Sequence, residues 1–489
     1  MGRNGKNIDQ LQGRQIRLPA LKSLAGGRWL DTEREFAVFD KFTQQPLANV
    51  AETSQHQVSD AVRLTYAAFT KGAPPPHERA KILRRTADLI EAARTRFAEL
   101  MMAETGFTVS DAAGEIDRAL ITLNLSAEEA TRLVGQTVPF GASPGQQDRI
   151  GFTIRVPVGI VCAITPFNSP LNTVLHKIAP ALAAGNAVIL KPSHLTPLTA
   201  ALLCETFLEA GLPAGLLALL HGAGDSVGGF LLEEQAIAFY TFTGSTRVGK
   251  IIQKGAGLRR TQLELGSIAS TIVCADANLD RAAPKIANAA FRKAGQVCTS
   301  VQRLYVHREI ADVMSERVVD EAGKMPAGDP RKPEIRVGHM ISEAAAVRAS
   351  TWIDEATQRQ ARVITGGQRS EAVLQPTVIV NARSGMRVVD EEIFAPVVSI
   401  LTFDELSEAI IHANNTPYGL AAGIFTSDIN RATQAAKALR FGAVHINETS
   451  SSRGDAMPFG GVKDSGFGHE GPKYAIREVT EERLITINP

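Results

Sequence analysis

The sequence predicts an α/β protein of two lobes, each with strands alternating with helices, and a small β hairpin standing off them. Three observations lead there. After about residue 150, short apolar runs alternate with helix-like stretches, and from about 270 to 440 the alternation resumes. Residues 137–157, by contrast, are turn-rich and then alternate apolar with polar side chains. A chain of 489 residues is long enough for roughly three domains.

Taken in order, "MGRNGKNIDQLQGRQIRLP" lacks the apolar stretch of a signal peptide. Lys6 stands where a myristoylation pattern wants Ser or Thr. The first ~20 residues read as a loose arm. Residues 77–104 predict one amphipathic helix, because Ile82, Leu83, Leu89, Ile90, Phe97, Leu100 and Met101 recur at helical spacing. Gly106 is its expected stop.

"GIVCAI" (Gly159–Ile164), "NAVILK" (Asn186–Lys191), "LLALLHG" and "IAFYTFTG" are apolar β runs. Stretches such as "TPLTAALLCETFLEAG" lie between them. That alternation predicts a parallel sheet of Rossmann type. "STIVCA", "RLYVH" and "VVSILTF" are the strands of the second lobe. "TVPFGASPGQQDRIGFTIRVP" predicts the hairpin, and the strand-like "ERLITINP" is expected to pair with it, within or between subunits.

Composition excludes several functions. With 52 Lys+Arg against 51 Asp+Glu, bulk charge points to no nucleic acid and no anionic membrane surface. No apolar run is long enough to span a bilayer. Cys162, Cys204, Cys274 and Cys298 form neither a disulfide framework nor a zinc-ligand spacing. The expectation is a cytoplasmic protein without a metal site.

Four stretches carry chemistry. "KAGQVCTSVQR" sets Cys298 among small and polar residues, odd company for a cysteine. "YTFTGSTRVGK" is a strand, a glycine turn and a helix start; Ser245 or Thr246 can cap that helix. Such an N-terminus either receives a pyrophosphate or is an ordinary strand-to-helix joint. "TPFNSPLN" holds Asn168, whose amide either stabilises an oxyanion or organises a Pro-flanked turn. "QLELGS" holds Glu264 between two leucines, either as half of a structural pair or as a base of tuned pKa.

Together, "TPFN", "ILKPS", "FTGSTRVG", "LELGS", "GQVCTS", "EEIFAPV", "NNTPYGLAAG" and "MPFGGVKDSGFG" occur in the order and spacing of the aldehyde dehydrogenase superfamily. The sequence resembles that family from about residue 25 to its end. "GQVCTSVQR" and "SSSRGDAMPFGGVKDSGFG" resemble its lactaldehyde, glycolaldehyde and phosphonoacetaldehyde branch.

The resemblance implies a Rossmann-type cofactor domain over residues 20–128 and 153–265, a second α/β catalytic domain over 266–468, and a β oligomerisation segment over 129–152 and 469–489. It implies NAD(P)-dependent oxidation of a small polar or anionic aldehyde to the acid, in a homodimer or homotetramer. Cys298 would be the nucleophile, Asn168 the oxyanion donor and Glu264 the general base. Lys191, Ser193, Gly224 and Ser245 would hold the adenosine and pyrophosphate. Glu392 and Phe394 would position the nicotinamide half, and Ile164 and Gly266 would border the cleft. Ser169, Val297, Thr299 and Arg453 would face the substrate. Arg453 either grips a carboxylate or phosphonate bidentately or braces its loop. His194 stands where many NAD-preferring members carry glutamate, so NADP stays beside a mildly favoured NAD. Two alternatives accompany this reading: a CoA-acylating aldehyde dehydrogenase, and a catalytically retired structural or binding member.

Overall fold

The apolar runs after residue 150 form the centre of an eight-stranded sheet. Strand Ile160–Ile164 is buried along its whole length, as expected of a strand covered on both faces. Parallel to it lie Ala187–Lys191 and then Leu217–Leu219 on one side, and Ile237–Thr243 and then Arg260–Glu264 on the other. Counted in chain order from Ile160–Ile164, those strands run third, second, first, fourth, fifth. That is the doubly wound arrangement, which opens a crevice beyond the strand ends where the order reverses. The computed structural model describes residues 21–488; the expected N-terminal arm lies outside the described residues.

The second sheet has seven strands. At its centre Arg303–His307 pairs in parallel with Ser270–Val273 and Val397–Phe403, followed outward by Ala421–Phe425 and Thr377–Val380. A strand from late in the chain completes one edge of the eight-stranded sheet: Gly466–Phe467 pairs antiparallel with Arg260–Glu264. Gly466 has φ 103°, and a Cβ there would stand 1.9 Å from the Leu263 carbonyl oxygen. Only glycine permits that closeness.

The hairpin forms as expected. Thr137–Val138 pairs with Ile150–Pro157, and Thr480–Ile487 pairs with Ile150–Pro157 along its full length within the same chain. Ile150, Phe152 and Ile154 share one face with Ile485 and Ile487, and all but Ile485 are exposed.

One expectation is corrected. Residues 77–104 are not a single helix but two, Pro76–Ala92 and Arg94–Thr105. Ala93 leaves helical geometry at φ −98°, ψ 16°. Arg94 pins the break by pairing with both Glu91 and Asp117 at 2.7 Å. Residues 94–105 thereby pack against helix Val109–Ala130 and helix Pro197–Glu209. Gly106 ends the second helix in the left-handed region, as its sequence position predicted.

Candidate active site

The loop that carries Cys298 turns through successive left-handed residues, Lys293 (φ 53°), Ala294 (φ 53°) and Gly295 (φ 67°). For the two non-glycines this costs about 1–3 kcal/mol each and persists only where the surroundings enforce it. They do. Lys293 Nζ bonds Glu115 Oε2 at 2.7 Å and the Asn168 carbonyl at 3.3 Å, and lies 4.2 Å from the centre of the Phe107 ring. Gln296 Oε1 accepts from the Ile341 N–H at 2.8 Å. A Cβ on Gly295 would strike the Ala395 carbonyl oxygen at 2.0 Å.

Asn168 follows strand Ile160–Ile164, at the crevice. Its Nδ2 donates to the Gln296 carbonyl at 2.8 Å. An amide nitrogen has two hydrogens, so one fixes the side chain beside the Cys298 loop and the other is left over. The Ser169 hydroxyl donates to Glu115, which also accepts from the Asn172 N–H at 2.9 Å.

Glu264 ends its strand, opposite Thr243 on one side and Gly466 on the other. It is buried, its Oε2 has no partner, and Gln262 reaches Oε1 only at 3.4 Å. Burial, and then the charge of Glu470, raise its pKa well above the usual carboxylate value. Beside it lies an ion cluster absent from the sequence reading. Lys177 bonds Glu470 at 2.9 Å, and Arg453 bonds the other Glu470 oxygen at 2.6 Å. Against burial, these two cations hold Glu470 well below the ordinary range. Lys177 occupies helix Asn172–Ala184, every residue of which is buried.

Cys298 is half-buried. Burial pushes its thiol up to about 12; Arg453 opposes this, while Glu264, Glu392 and Glu470 add to it. Thr299 shares a hydrogen bond with Ser451 at 3.1 Å, and Ser450 donates to the Thr299 carbonyl at 2.9 Å. Those contacts dock the 449–453 loop on the cysteine loop. Val297 lies with Ser267, Gly295, Glu392 and Phe394 around one small cavity. Arg453 is held between Glu470 and the Phe459 ring, 3.8 Å from the ring centre.

On the crevice floor, Ser245 caps helix Thr246–Ala256 by accepting from the Val248 N–H. Glu392 Oε1 accepts from the Ser267 N–H at 3.0 Å, and burial raises its carboxyl to about 7. A Cβ on Gly266 would meet Glu392 Oε2 and Thr246 Oγ1 at 3.1 Å, so the floor there stays bare. Phe394 meets Phe167 edge-on at 5.9 Å. Ile164 pairs in register with Lys191, whose Nζ donates to the Gly222 carbonyl at 2.9 Å. Ser193 is half-buried, and His194 and Gly224 are exposed on the same side.

The aldehyde dehydrogenase family model matches residues 29–485. The chain belongs to the aldehyde dehydrogenase family. A 3-sulfolactaldehyde dehydrogenase of Priestia aryabhattai is 44% identical over 462 residues, covering 94% of this chain and 97% of the relative. An indole-3-acetaldehyde dehydrogenase solved with NAD+ superposes with a TM-score of 0.94 at 33% identity, covering 99% of each chain. A glyceraldehyde-3-phosphate dehydrogenase of Methanocaldococcus jannaschii solved with NADP gives 0.90 at 35%, covering 94% of this chain and all of that one. The protein is an NAD(P)-dependent aldehyde dehydrogenase. Its bare floor at Gly266, the Glu392 carboxylate and the exposed N-terminus of helix Thr246–Ala256 fit a dinucleotide.

Sequence reading missed Arg292, Glu115, Lys177, Glu470 and Ser451. Arg292 is half-buried, with Asp111, Arg118, Cys298 and Glu115 as its charged or ionisable neighbours, and its Nη2 donates to Ser451 Oγ at 2.7 Å. Among the described residues no carboxylate pairs with it. A lysine inside the apolar run "VLHKIAPALAAG" was the one local signal available: a buried charge demands a partner.

Proposed function

We propose that this aldehyde dehydrogenase oxidises a small aldehyde whose far end carries an anion, by way of a thiohemiacetal and a thioester on Cys298. The observation that carries the substrate class is Arg292. Among the described residues this guanidinium near Cys298 bonds a single side chain, the Ser451 hydroxyl, and carboxylate or sulfonate oxygens match its planar fork. The sulfonated substrate in the name of the Priestia relative supports the same class.

Cys298 Sγ attacks the carbonyl carbon, and the carbonyl electron pair moves to oxygen. The free hydrogen of Asn168 Nδ2 and the Cys298 N–H receive that oxyanion. The nicotinamide, when bound, supplies the two-electron acceptor that leaves a thioester on sulfur. Glu264 then takes a proton from water, whose oxygen attacks the thioester carbon and displaces the thiolate. A carboxylate whose pKa is raised by burial is a stronger base than an ordinary one. Lys293 and Glu115 hold Asn168 and Cys298 in register throughout.

The exposed apolar face of the hairpin sheet supports assembly as a homodimer or homotetramer. Four free thiols support a reducing, cytoplasmic compartment.

The test compares Arg292→Gln with wild type on an aldehyde ending in sulfonate or carboxylate and on a neutral aldehyde of the same length. Loss of a charged hydrogen-bond pair is worth roughly 10–100-fold in kcat/KM, expected on the anionic substrate alone. Equal losses on both would overturn the substrate class.

A further inference from the structure

Arg453 entered as a candidate grip for the substrate, yet its geometry is that of a group facing inward. One nitrogen of the fork is bound to Glu470 at 2.6 Å, its flat face covers Phe459, and its side chain is only 15% exposed. Among the described residues, neither its buried Nε nor the buried Glu264 Oε2 has a hydrogen-bond partner. Glu470 stands between two cations, Lys177 and Arg453. The three groups together carry one uncompensated positive charge, in a buried space beside a thiol and a carboxyl.

We propose that Arg453 is a positioning residue for charge: its guanidinium is the counter-cation of a single negative charge that Cys298 and Glu264 share. The proposal rests on the nucleophile and base assigned above. When the thiolate forms, the proton leaving Sγ goes to Glu264 Oε2, so the charge moves from carboxylate to sulfur and the count stays at one. Once the sulfur is acylated and uncharged, Arg453 favours loss of the Glu264 proton to water, which restores the carboxylate as base. The thiol and the carboxyl therefore titrate as a pair.

The other charged groups around Cys298 do not take this role. Glu392 and Glu470 oppose ionisation of the thiol. Arg292 turns to Ser451, Lys177 bonds only Glu470 and Thr241, and His176 is kept neutral by burial and by Arg453.

The test is alkylation of the cofactor-free enzyme by iodoacetamide as a function of pH. Cys162, Cys204 and Cys274 are buried, so the rate reports Cys298. Removing the cation in Arg453→Met is expected to raise the thiol midpoint, read on the limb below it as roughly 10–100-fold slower alkylation at the same pH. Arg453→Lys, which keeps the charge, should recover most of that shift. Glu264→Gln, which removes the competitor for the charge, should move the midpoint down. Discrimination between anionic and neutral aldehydes should be unchanged in Arg453→Lys. An unshifted midpoint in folded Arg453→Met would overturn the proposal, as would a loss confined to KM for anionic aldehydes. If Arg453→Met does not fold, an unshifted midpoint in Glu264→Gln overturns it instead. Turnover surviving in Cys298→Ala would sink the assignment of the nucleophile itself, which the alkylation profile does not address.

Discussion

Lys293 Nζ lies 2.7 Å from Glu115 Oε2, and this ion pair ties the loop bearing Cys298 to the segment bearing Asn168. Burial alone would raise Glu115, but the Lys293 charge and the Ser169 hydroxyl bring it down to about 2. For Lys293 burial wins and its pKa falls. The carboxylate is the better-supported partner because it also accepts from the Asn172 N–H.

Glu115→Gln therefore strands a buried lysine. The expected cost is about 3–5 kcal/mol, read as a lower urea midpoint, together with a fall in kcat larger than any rise in KM. The Glu115 contribution is present above the unfolded carboxylate pKa of about 4.3 and is lost as pH falls through the folded value of about 2. An unchanged kcat would show that the brace is not what aligns Asn168 with Cys298.

Asp455 ties the loop that bears Arg453 to two helices. It accepts from His176 at 2.9 Å, from Asn172 at 3.0 Å and from Arg118 at 2.7 and 3.1 Å. Against burial, His176 and Arg118 hold its carboxyl well below the usual range. A depressed folded pKa means stability present above about 3.9 and lost on acidification. Asp455→Asn should flatten the acid limb of the stability curve and cost roughly 1–3 kcal/mol at neutral pH. A wild-type acid limb in this variant would refute the assignment.

Burial, Lys191 and Lys41 all lower the pKa of His194, leaving a neutral imidazole at pH 7 where the adenosine is proposed to bind. Glutamate there would repel a 2′-phosphate. His194→Glu should weaken NADP more than NAD, by about tenfold or more in the ratio of Kd values. Equal weakening would remove His194 from cofactor choice.

Much of this was legible beforehand. Apolar runs marked both sheets, and Asn168, Glu264 and Cys298 stood in recognisable stretches. The groups that restrain and charge them did not stand out, because their partners are remote: Lys293 is 178 residues from Glu115, and Lys177 is 293 from Glu470. A pairing that depends on the closed fold leaves no local pattern. Arg453 was visible, but its direction was not, since the Phe459 ring and Glu470 that orient it come from later turns of the same segment. The break at Ala93 was hidden as well, because the apolar stripe continues through it.

Oxidation through Cys298 requires that the aldehyde carbon become covalently bound to its sulfur. The most direct measurement is the intact mass of Glu264→Gln after mixing with an anionic aldehyde and NAD or NADP, followed by peptide mapping. Without its base the enzyme should deacylate about 100- to 10,000-fold more slowly. It should release one equivalent of reduced cofactor per site and carry the acyl group on the Cys298 peptide, removable by hydroxylamine. A Glu264→Gln enzyme that turns over at the wild-type rate with no adduct on Cys298 would rule out both the thioester on that sulfur and Glu264 as its base.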